Sequence, residues 1–218
     1  MYHRVSDPRF SRSSIERSLT VAPRVFAQQL NWLQGHHYIT ITQTQLAHAM
    51  AGTEELPAHP VMITFDDGYV DISNTVMPLM RKRRMKGTAY VITDRVRGRD
   101  RAFMKVPALR RIEAGGIEVG SHSASHVDLT QQSDAGLRHE LGGSRHLLEK
   151  WLGHPVPWLC YPAGRYNAHV EAMAEQAGYV LATTTEPGSV HDRTLPLALS
   201  RVRISDTTGV TGLAAVLG

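Results

Sequence analysis

The strongest constraint on the fold is a series of continuous apolar runs that recur along the chain with room for a helix between them. We predict β-strands at the six runs, which are residues 61–65, 88–93, 117–120, 156–161, 179–184 and 199–204. Continuous runs, without alternation of apolar and polar residues, are typical of strands that are buried on both faces. Such strands, separated by helices, predict an α/β fold with a mostly parallel sheet, either open or closed into a barrel.

Between these runs, apolar residues recur at helical spacing and are often followed by glycine, which commonly ends a helix. One such stripe contains Leu137, Leu141, Leu148 and Trp151 and stops at Gly153. Pro78 interrupts another stripe and predicts a kink or a late helix start there. The remaining connections, residues 53–60, 94–101 and 186–196, are predicted loops.

Size and composition indicate one ordinary globular domain over residues 1–218. The chain has a mass of 24.1 kDa, 42% hydrophobic residues and 20% charged residues, which argues against extensive disorder. A domain of this size buries about 70% of the surface that its unfolded chain exposes, so it needs no cross-links. Its single cysteine, Cys160, excludes an intramolecular disulfide and a zinc site built from several cysteines.

The charge pattern gives little support for a nucleic-acid partner. The net charge is +4 and the sequence pI is about 9.4, but no known nucleic-acid-binding signature accompanies the basic residues. A basic cluster at Arg81, Lys82, Arg83, Arg84 and Lys86 resembles the solvated end of a helix. We therefore expect no nucleic-acid partner, and nothing in the sequence indicates a protein partner.

The apolar runs are too short to cross a membrane, since a spanning helix needs about 18 or more apolar residues. The first residues also lack the basic and apolar regions of a signal peptide. The chain as given is therefore expected in the cytoplasm. The cell envelope or periplasm is the alternative if an upstream leader has been removed.

The first segment that suggests chemistry is residues 64–69, Thr-Phe-Asp-Asp-Gly-Tyr. Adjacent carboxylates repel each other and lose solvation unless they share a cation or a proton. Side chains alternate along a strand, but Gly68 can turn the backbone so that Asp66 and Asp67 face one pocket. One would then bind a metal ion while the other acts as a base. The alternative is an ordinary Asp-Gly turn with two solvated acids.

The second segment is residues 122–126, His-Ser-Ala-Ser-His, which follows the run 117–120. On a helical turn, histidines spaced i and i+4 share one face and can hold a single divalent ion. Imidazole suits zinc and similar transition metals. Together with one carboxylate, His122 and His126 would leave coordination positions open, which is typical of a catalytic metal site.

The third segment is residues 159–166, Leu-Cys-Tyr-Pro-Ala-Gly-Arg-Tyr. A strand that runs into proline and glycine makes a sharp turn, and backbone N–H groups of such a turn can stabilise an oxyanion. Cys160 is predicted to be a small buried apolar residue, and Trp158 and Tyr161 are predicted to pack in the core. Tyr69 and Tyr166 either line a cleft or pack.

In this order, each at the end of a predicted strand, the three segments resemble the polysaccharide deacetylase family, also called the NodB-homology family or carbohydrate esterase family four. The Thr-Phe-Asp-Asp-Gly and His-Ser-x-x-His segments match the first two motifs of that family. The resemblance implies a distorted (β/α) barrel with one divalent metal ion at its open end. It further implies Asp66 as general base, and Asp67, His122 and His126 as metal ligands. Zinc is the expected ion, with cobalt, nickel or iron as alternatives.

Two departures from the family pattern affect the other roles. The arginine that orients the base is replaced by Cys160, so Arg165 or Arg201 would have to substitute for it. The backbone N–H of Ala163, at the family's tyrosine position, would help to hold the oxyanion. The usual late Leu-x-His motif is missing. In this respect the chain resembles the circularly permuted branch of the family, which includes poly-N-acetylglucosamine deacetylases. On that resemblance His3 is the general acid.

The resemblance therefore implies a metal-dependent hydrolase that removes N-acetyl groups from an N-acetylated sugar polymer or oligosaccharide. A related amide hydrolase that acts on another acylated or formylated substrate is the alternative within the enzymes. A carbohydrate-binding module that kept the fold and lost the chemistry is the alternative outside them. The four residues Asp66, Asp67, His122 and His126 argue against the inactive module.

Overall fold

A computed structural model describes residues 1–11 and 13–217. The strands are β1 (Arg4–Val5), β2 (Thr20–Val21), β3 (Ile39–Thr40), β4 (Pro60–Val61), β5 (Thr64–Phe65), β6 (Gly87–Val91), β7 (Ile117–Ser121), β8 (Trp158–Cys160) and β9 (Leu181–Thr183). The α-helices are α1 (Ser14–Ser18), α2 (Pro23–Gly35), α3 (Gln43–Met50), α4 (Met77–Arg81), α5 (Thr93–Arg97), α6 (Val106–Ala114), α7 (Asp134–Leu137), α8 (Ser144–Leu152), α9 (Ala168–Gln176) and α10 (Val210–Leu217). Short 3-10 turns lie at Pro8–Phe10, Leu129–Gln131 and Pro162–Gly164, and π-helical turns at Ile72–Val76 and Arg138–Gly143.

The central sheet contains β5 to β9, which lie side by side in chain order and are all parallel. Five of the six predicted strands correspond to these strands within a few residues. The run 61–65 is divided, because β4 ends at Val61 and pairs with β3, whereas β5 begins at Thr64. The predicted mostly parallel α/β architecture is confirmed.

The prediction of a strand over residues 199–204 is wrong. In this segment only Leu199 makes a bridge, in parallel with Thr183 of β9. The backbone then leaves the ladder, because the Ser200 carbonyl accepts from the His191 ring (2.9 Å) and the Arg201 N–H donates to the Glu186 carbonyl (2.8 Å). The segment nevertheless runs beside β9 toward the start of the chain.

Residues 1–3 close the sheet on its other side. Tyr2 bridges Phe65 of β5 in parallel, and its carbonyl accepts from the Asp66 N–H at 2.9 Å. The Ile204 N–H donates to the Met1 carbonyl at 2.9 Å. The curled sheet is therefore bordered by residues 1–3 and 199–204, in agreement with the predicted distorted barrel.

Helices cover the outside of the sheet with apolar side chains. Leu109 and Ile112 of α6 pack in the same buried cluster as Met80 and Ile117. A second buried cluster joins Leu141 to α9 and β9. No helix within residues 1–11 and 13–217 is long and apolar enough to cross a membrane.

The predicted irregularity near Pro78 takes the form of the π-helical turn Ile72–Val76 directly before α4. The Met77 N–H donates to the Ile72 carbonyl, five residues earlier, instead of four. Proline has no N–H and its ring crowds the preceding turn, so a widened turn before it is the expected accommodation.

Gly120 provides a test of packing inside the barrel. A Cβ at this position would lie 2.6 Å from the Tyr90 ring and 3.1 Å from the Trp158 Cβ. We expect Gly120→Ala to lower the free energy of unfolding by about 1–3 kcal/mol, because the added methyl group overpacks the core. Urea denaturation measures this change. Gly142→Ala is the control, since no heavy atom lies within 4 Å of a Cβ there, and equal stability of the two variants would contradict the prediction.

Candidate active site

The residues predicted from the three motifs meet at the carboxyl edge of the central sheet. Asp66 and Asp67 follow β5, His122 and His126 follow β7, and Ala163 follows β8. Parallel strands place their carboxyl ends at one edge, so segments far apart in sequence converge there. His3 joins them from the start of the chain, one residue beyond the bridge between Tyr2 and Phe65.

Three of these side chains form a compact set of donor atoms. Asp67 Oδ1 lies 3.5 Å from His122 Nε2 and 3.7 Å from His126 Nε2. One atom from each residue lies within 4.8 Å of the others. The His122 Nδ1 is 2.7 Å from the Cys160 carbonyl, and as donor to that carbonyl it leaves the Nε2 lone pair directed to the Asp67 side. Two imidazoles and one carboxylate in this arrangement fit a single divalent cation such as zinc.

The turn after β5 separates the two carboxylates. Asp67 itself has a left-handed backbone with φ of 71°, and Gly68 follows with φ of 80°. The backbone turn that was expected at Gly68 therefore begins one residue earlier, at Asp67. A left-handed aspartate costs about 1 kcal/mol relative to a right-handed one, and such strain is often found at functional sites. The turn directs Asp67 to the two histidines and Asp66 into the barrel.

The prediction of a helical turn, made from the spacing of His122 and His126, is wrong. Residues 122–126 form an irregular loop in which Ser123 and His126 have φ of 64° and 65°. A helix requires negative φ throughout, so left-handed residues bring the two rings together instead. Their centroids are 4.7 Å apart at an angle of 76°.

Glu140 holds this loop and was not predicted from the sequence. Its buried carboxylate accepts from the N–H groups of Ala124 (3.0 Å) and Ser125 (2.9 Å) and from the Ser125 hydroxyl (2.6 Å). Glu140 lies in the π-helical turn Arg138–Gly143, where a glutamate looks like any helical surface residue. No local signal in the sequence distinguishes it, because its partners Ala124 and Ser125 lie 16 and 15 residues away.

Asp66 is clamped by Arg201. The guanidinium donates to both carboxylate oxygens, Nη1 to Oδ1 at 2.7 Å and Nη2 to Oδ2 at 2.8 Å. Asp66 is 2% exposed and Arg201 is 6% exposed. Burial alone would raise the pKa of Asp66, but the Arg201 charge and its hydrogen bonds outweigh burial and hold that pKa well below its usual range.

Arg201 is in turn fixed by three further groups. It donates to the Thr184 carbonyl (2.8 Å), the Thr64 hydroxyl (3.1 Å) and the Cys160 sulfur (3.0 Å). Of the two arginines that the sequence left open, Arg201 therefore contacts the base. Arg165 is exposed and pairs with Asp128 at 2.8 Å.

Cys160 is fully buried, as predicted, and belongs to a second set of donor atoms with Asp66 and His122. This set is the poorer cation site, because the Arg201 guanidinium already contacts both Asp66 and Cys160. A cation placed among these atoms would face that positive charge at close range in a buried environment. The set with Asp67 and His126 carries no such conflict.

His3 stands next to Asp66 in the parallel register. It is 9% exposed, and its Nδ1 is buried without a hydrogen-bond partner among the described residues. Burial lowers the pKa of His3 to about 4, while the Asp66 charge opposes this shift. An imidazole nitrogen that is buried and unpaired is available for a group that enters the site.

Ala163 occupies the turn that follows β8. Its backbone is left-handed with φ of 52°, and its carbonyl accepts from the Thr185 hydroxyl at 3.2 Å. Gly164 follows with φ of 71°, where a Cβ would lie 2.1 Å from the Thr185 Oγ1. Glycine is therefore required at position 164, and the turn that carries the Ala163 N–H is held in one conformation.

Aromatic side chains surround the site in two stacked pairs. Trp158 and Tyr161 are buried, as predicted, and Tyr161 stacks on the half-buried Tyr166 at 5.0 Å. Tyr69, which follows the Asp66–Gly68 turn, stacks on Phe103 at 4.9 Å and 21°. The second pair borders the turn that carries Asp67, because Tyr69 lies two residues beyond it.

Comparison with known proteins places the chain among deacetylases. Residues 53–182 match the family model described as polysaccharide deacetylase. YxkH of Bacillus subtilis (strain 168) is 28% identical over 214 residues, which cover 98% of this chain and 72% of that protein. The poly-beta-1,6-N-acetyl-D-glucosamine N-deacetylase of Staphylococcus aureus is 23% identical over 94% of this chain and 77% of that protein. The structure of the Streptococcus pyogenes deacetylase PplD in complex with acetate aligns with a TM-score of 0.91 at 26% identity, covering 100% of this chain and 96% of PplD.

Glu140 generates a prediction about metal binding that does not alter any donor atom. We expect Glu140→Ala to weaken zinc binding about 10- to 100-fold, because the loop that carries both histidines loses the acceptor of its N–H groups. Isothermal titration with zinc measures the affinity. Glu149→Ala, which removes a carboxylate on α8 that pairs with Arg145, is the control. Unchanged zinc affinity in Glu140→Ala would show that the loop needs no such support.

Proposed function

The chain belongs to the polysaccharide deacetylase family, and on that premise we propose that it is a metal-dependent hydrolase which removes N-acetyl groups from an N-acetylated glycan and releases acetate. One observation carries this proposal. A buried carboxylate held by arginine, Asp66, lies in sequence and in space directly beside the donor set of Asp67, His122 and His126. A base adjacent to a metal site with open positions is what the hydrolysis of an unreactive amide requires.

Asp67, His122 and His126 would hold one divalent cation, with zinc favoured by the two imidazoles and the carboxylate. When bound, such a cation lowers the pKa of water and acts as a Lewis acid toward the acetyl carbonyl. The protein's part is to fix the donor atoms, which it does through the Cys160 carbonyl at His122 and through Glu140 at the loop.

Asp66 would act as the general base and remove a proton from the attacking water. Arg201 keeps the carboxylate ionised and fixes the direction of both oxygens. Oδ2 also accepts from the Cys160 thiol at 3.6 Å, whereas Oδ1 retains a lone pair beyond its hydrogen bond to Arg201, so the carboxylate can still accept a proton. Arg201 thus takes the role that the arginine at the position of Cys160 has in the family, although it comes from a different segment.

His3 would carry the proton to the departing nitrogen. An amine leaves poorly unless it is protonated, so a general acid is required. His3 neighbours Asp66 in register, and its buried Nδ1 has no hydrogen-bond partner among the described residues, so the ring can serve a group that enters the site. Protonated His3 would deliver its proton to the departing nitrogen, while Asp66 takes the proton of the attacking water.

The backbone N–H of Ala163 would stabilise the oxyanion that forms when water attacks the acetyl carbonyl. One well-placed donor of this kind contributes about 3 kcal/mol to the transition state. The Thr185 hydroxyl at the Ala163 carbonyl and the crowded Gly164 fix the peptide before substrate arrives. The products would be acetate and a glucosamine-type amine.

Two substitutions separate the base from the metal ligands. We expect Asp66→Asn to reduce acetate release from N-acetylglucosamine oligomers by at least about 1,000-fold while zinc content stays at one ion per chain, since amide nitrogen and oxygen cannot take the proton. His126→Ala should lower zinc content as well, because it removes a donor atom. The measurements are enzymatic acetate determination and elemental analysis of the purified variants.

A near-normal rate in Asp66→Asn would contradict the assignment of the base. Zinc binding by the wild-type protein without acetate release from any N-acetylated glycan would instead favour a binding module or a different acyl substrate. Release of formate or another acid from a different amide would identify the protein as a hydrolase of a different acyl substrate. The intact donor set and the clamped Asp66 argue against the binding module, and the similarity to deacetylases supports an N-acetylated glycan over another acyl substrate.

The choice between the two arginines is tested by conservative replacements. We expect Arg201→Lys to lower kcat about 10- to 100-fold with zinc content unchanged, because an ammonium group cannot hold both oxygens of Asp66 as a guanidinium does. Arg165→Lys should behave like the wild type, since within residues 1–11 and 13–217 the exposed Arg165 side chain pairs with Asp128 alone. Steady-state kinetics and thermal melting of both variants separate loss of orientation from loss of fold. Equal rates for the two variants would refute the role of Arg201.

A further inference from the structure

A loop beside the candidate site carries an unusual density of positive charge. Residues 95–101, which we term the arginine loop, comprise the end of α5 and the loop after it, and they contain Arg95, Arg97, Arg99 and Arg101 at every second position. All four side chains are exposed. In the part of the chain that the structure describes, none of the four guanidiniums pairs with a carboxylate.

Both ends of the arginine loop are attached to the segments that carry the donor atoms. On one side, the Asp94 N–H donates to the Ala124 carbonyl at 2.9 Å, within the loop of the two histidines. On the other side, the Met104 N–H donates to the Gly68 carbonyl at 3.0 Å, and the Val70 N–H donates to the Ala102 carbonyl at 2.8 Å. The arginine loop therefore spans the rim between the Asp67 turn and the histidine loop.

The first arginine of the loop lies over the aromatic surface next to Asp67. The Arg95 guanidinium is 5.2 Å from the Phe103 ring centroid, and Phe103 stacks on Tyr69. Arg4 also contacts Tyr69, at 4.7 Å, but Arg4 pairs with Glu16 and Asp71. Arg95 is thus a cation that has no carboxylate partner among the residues the structure describes and that borders the Tyr69–Phe103 pair.

We propose that the arginine loop binds carboxylate or phosphate groups of the glycan, so that the substrate is an anionic N-acetylated glycan. This inference rests on the proposed deacetylase function and specifies its substrate class. Guanidinium groups match carboxylates and phosphates with paired hydrogen bonds, and exposed cations without internal partners attract anions to the surface that carries them. A neutral polymer would leave these four charges unused.

The position of the loop favours a glycan over a nucleic acid. A ligand held by residues 95–101 lies at the rim of the donor set, where a sugar ring can stack on the Tyr69–Phe103 pair. Another exposed basic pair, Arg81 and Lys82, stands where α4 ends, before β6 begins. That end of the sheet is opposite to the carboxyl edge where the site lies, which makes this pair a matched control.

The test compares Arg97→Gln/Arg99→Gln with Arg81→Gln/Lys82→Gln, two double variants that each remove two exposed positive charges. Substrates are a neutral N-acetylglucosamine oligomer and an N-acetylglucosamine–N-acetylmuramic acid oligomer of equal length, whose lactyl groups carry carboxylates. The methyl-esterified form of the latter provides the same shape without charge, and a 6-phosphorylated N-acetylglucosamine oligomer provides phosphate. The readout is the ratio of kcat/KM on each charged substrate to kcat/KM on its uncharged counterpart.

The wild type should prefer a charged substrate, and the carboxylate and phosphate arms show which anion is the better ligand. We expect the ratio to fall about tenfold in Arg97→Gln/Arg99→Gln through KM, and the preference to weaken with added salt, because rim charges act mainly on encounter and binding. The ratio should stay at the wild-type value in Arg81→Gln/Lys82→Gln.

Two results would overturn the inference while the deacetylase function stands. One is acetate release without preference for charge, and the other is an equal effect of both double variants on the ratio. Duplex DNA that binds the wild type and not Arg97→Gln/Arg99→Gln, with unaltered glycan kinetics, would assign the loop to another polyanion and overturn it as well. Absence of acetate release from all four oligomers would instead count against the proposed function itself.

Discussion

The buried ion pair between Asp66 and Arg201 is the interaction on which the site depends. Two charges in the barrel interior are costly unless each finds a partner of good geometry, and breaking such a pair costs about 3–5 kcal/mol. Here the guanidinium meets both carboxylate oxygens and also binds groups from the ends of β8 and β9. The pair therefore ties the segment 199–204 to the sheet, although that segment forms no regular strand, and it aims the carboxylate at the carboxyl edge.

Around this pair the site is built from backbone conformations that most residues avoid. Asp67, His126 and Ala163 have positive φ, and each lies where a side chain or a peptide has to face the site. Ser123 also has positive φ, but it is buried, and its hydroxyl accepts from the His126 N–H. Strain of this kind persists only where the surroundings fix it. Glu140 does so for the histidine loop, and Thr185 does so for the turn at Ala163. The donor atoms are thus placed before any ligand binds.

The rim and the interior handle charge in opposite ways. Inside, Arg201 is fully paired, and its charge serves Asp66. At the rim, the arginine loop presents exposed guanidiniums on a backbone that is attached to both donor segments. Paired charges fix geometry, whereas unpaired charges at a cleft raise the local concentration of oppositely charged ligands. This arrangement is consistent with a hydrolase in which the buried Asp66–Arg201 pair serves the reaction and the exposed arginine loop serves substrate selection.

Local sequence was sufficient for the strand–helix order, because continuous apolar runs are typical of strands buried on both faces. The two donor segments were predicted from their motifs and from the family that they resemble, and the carboxyl ends of parallel strands bring them to one edge. Predictions from local sequence were wrong or left open where contacts between distant residues determine the structure. Arg201 and Arg165 look alike in sequence, yet only Arg201 reaches Asp66, across 135 residues. The histidine spacing suggested a helical turn, but Glu140 and left-handed residues set the loop instead. Segment 199–204 is apolar enough for a strand, and tertiary hydrogen bonds to His191 and Glu186 drew its backbone away. Composition and periodicity are local properties, whereas ion pairs and loop conformations depend on which distant groups the fold brings within hydrogen-bond distance.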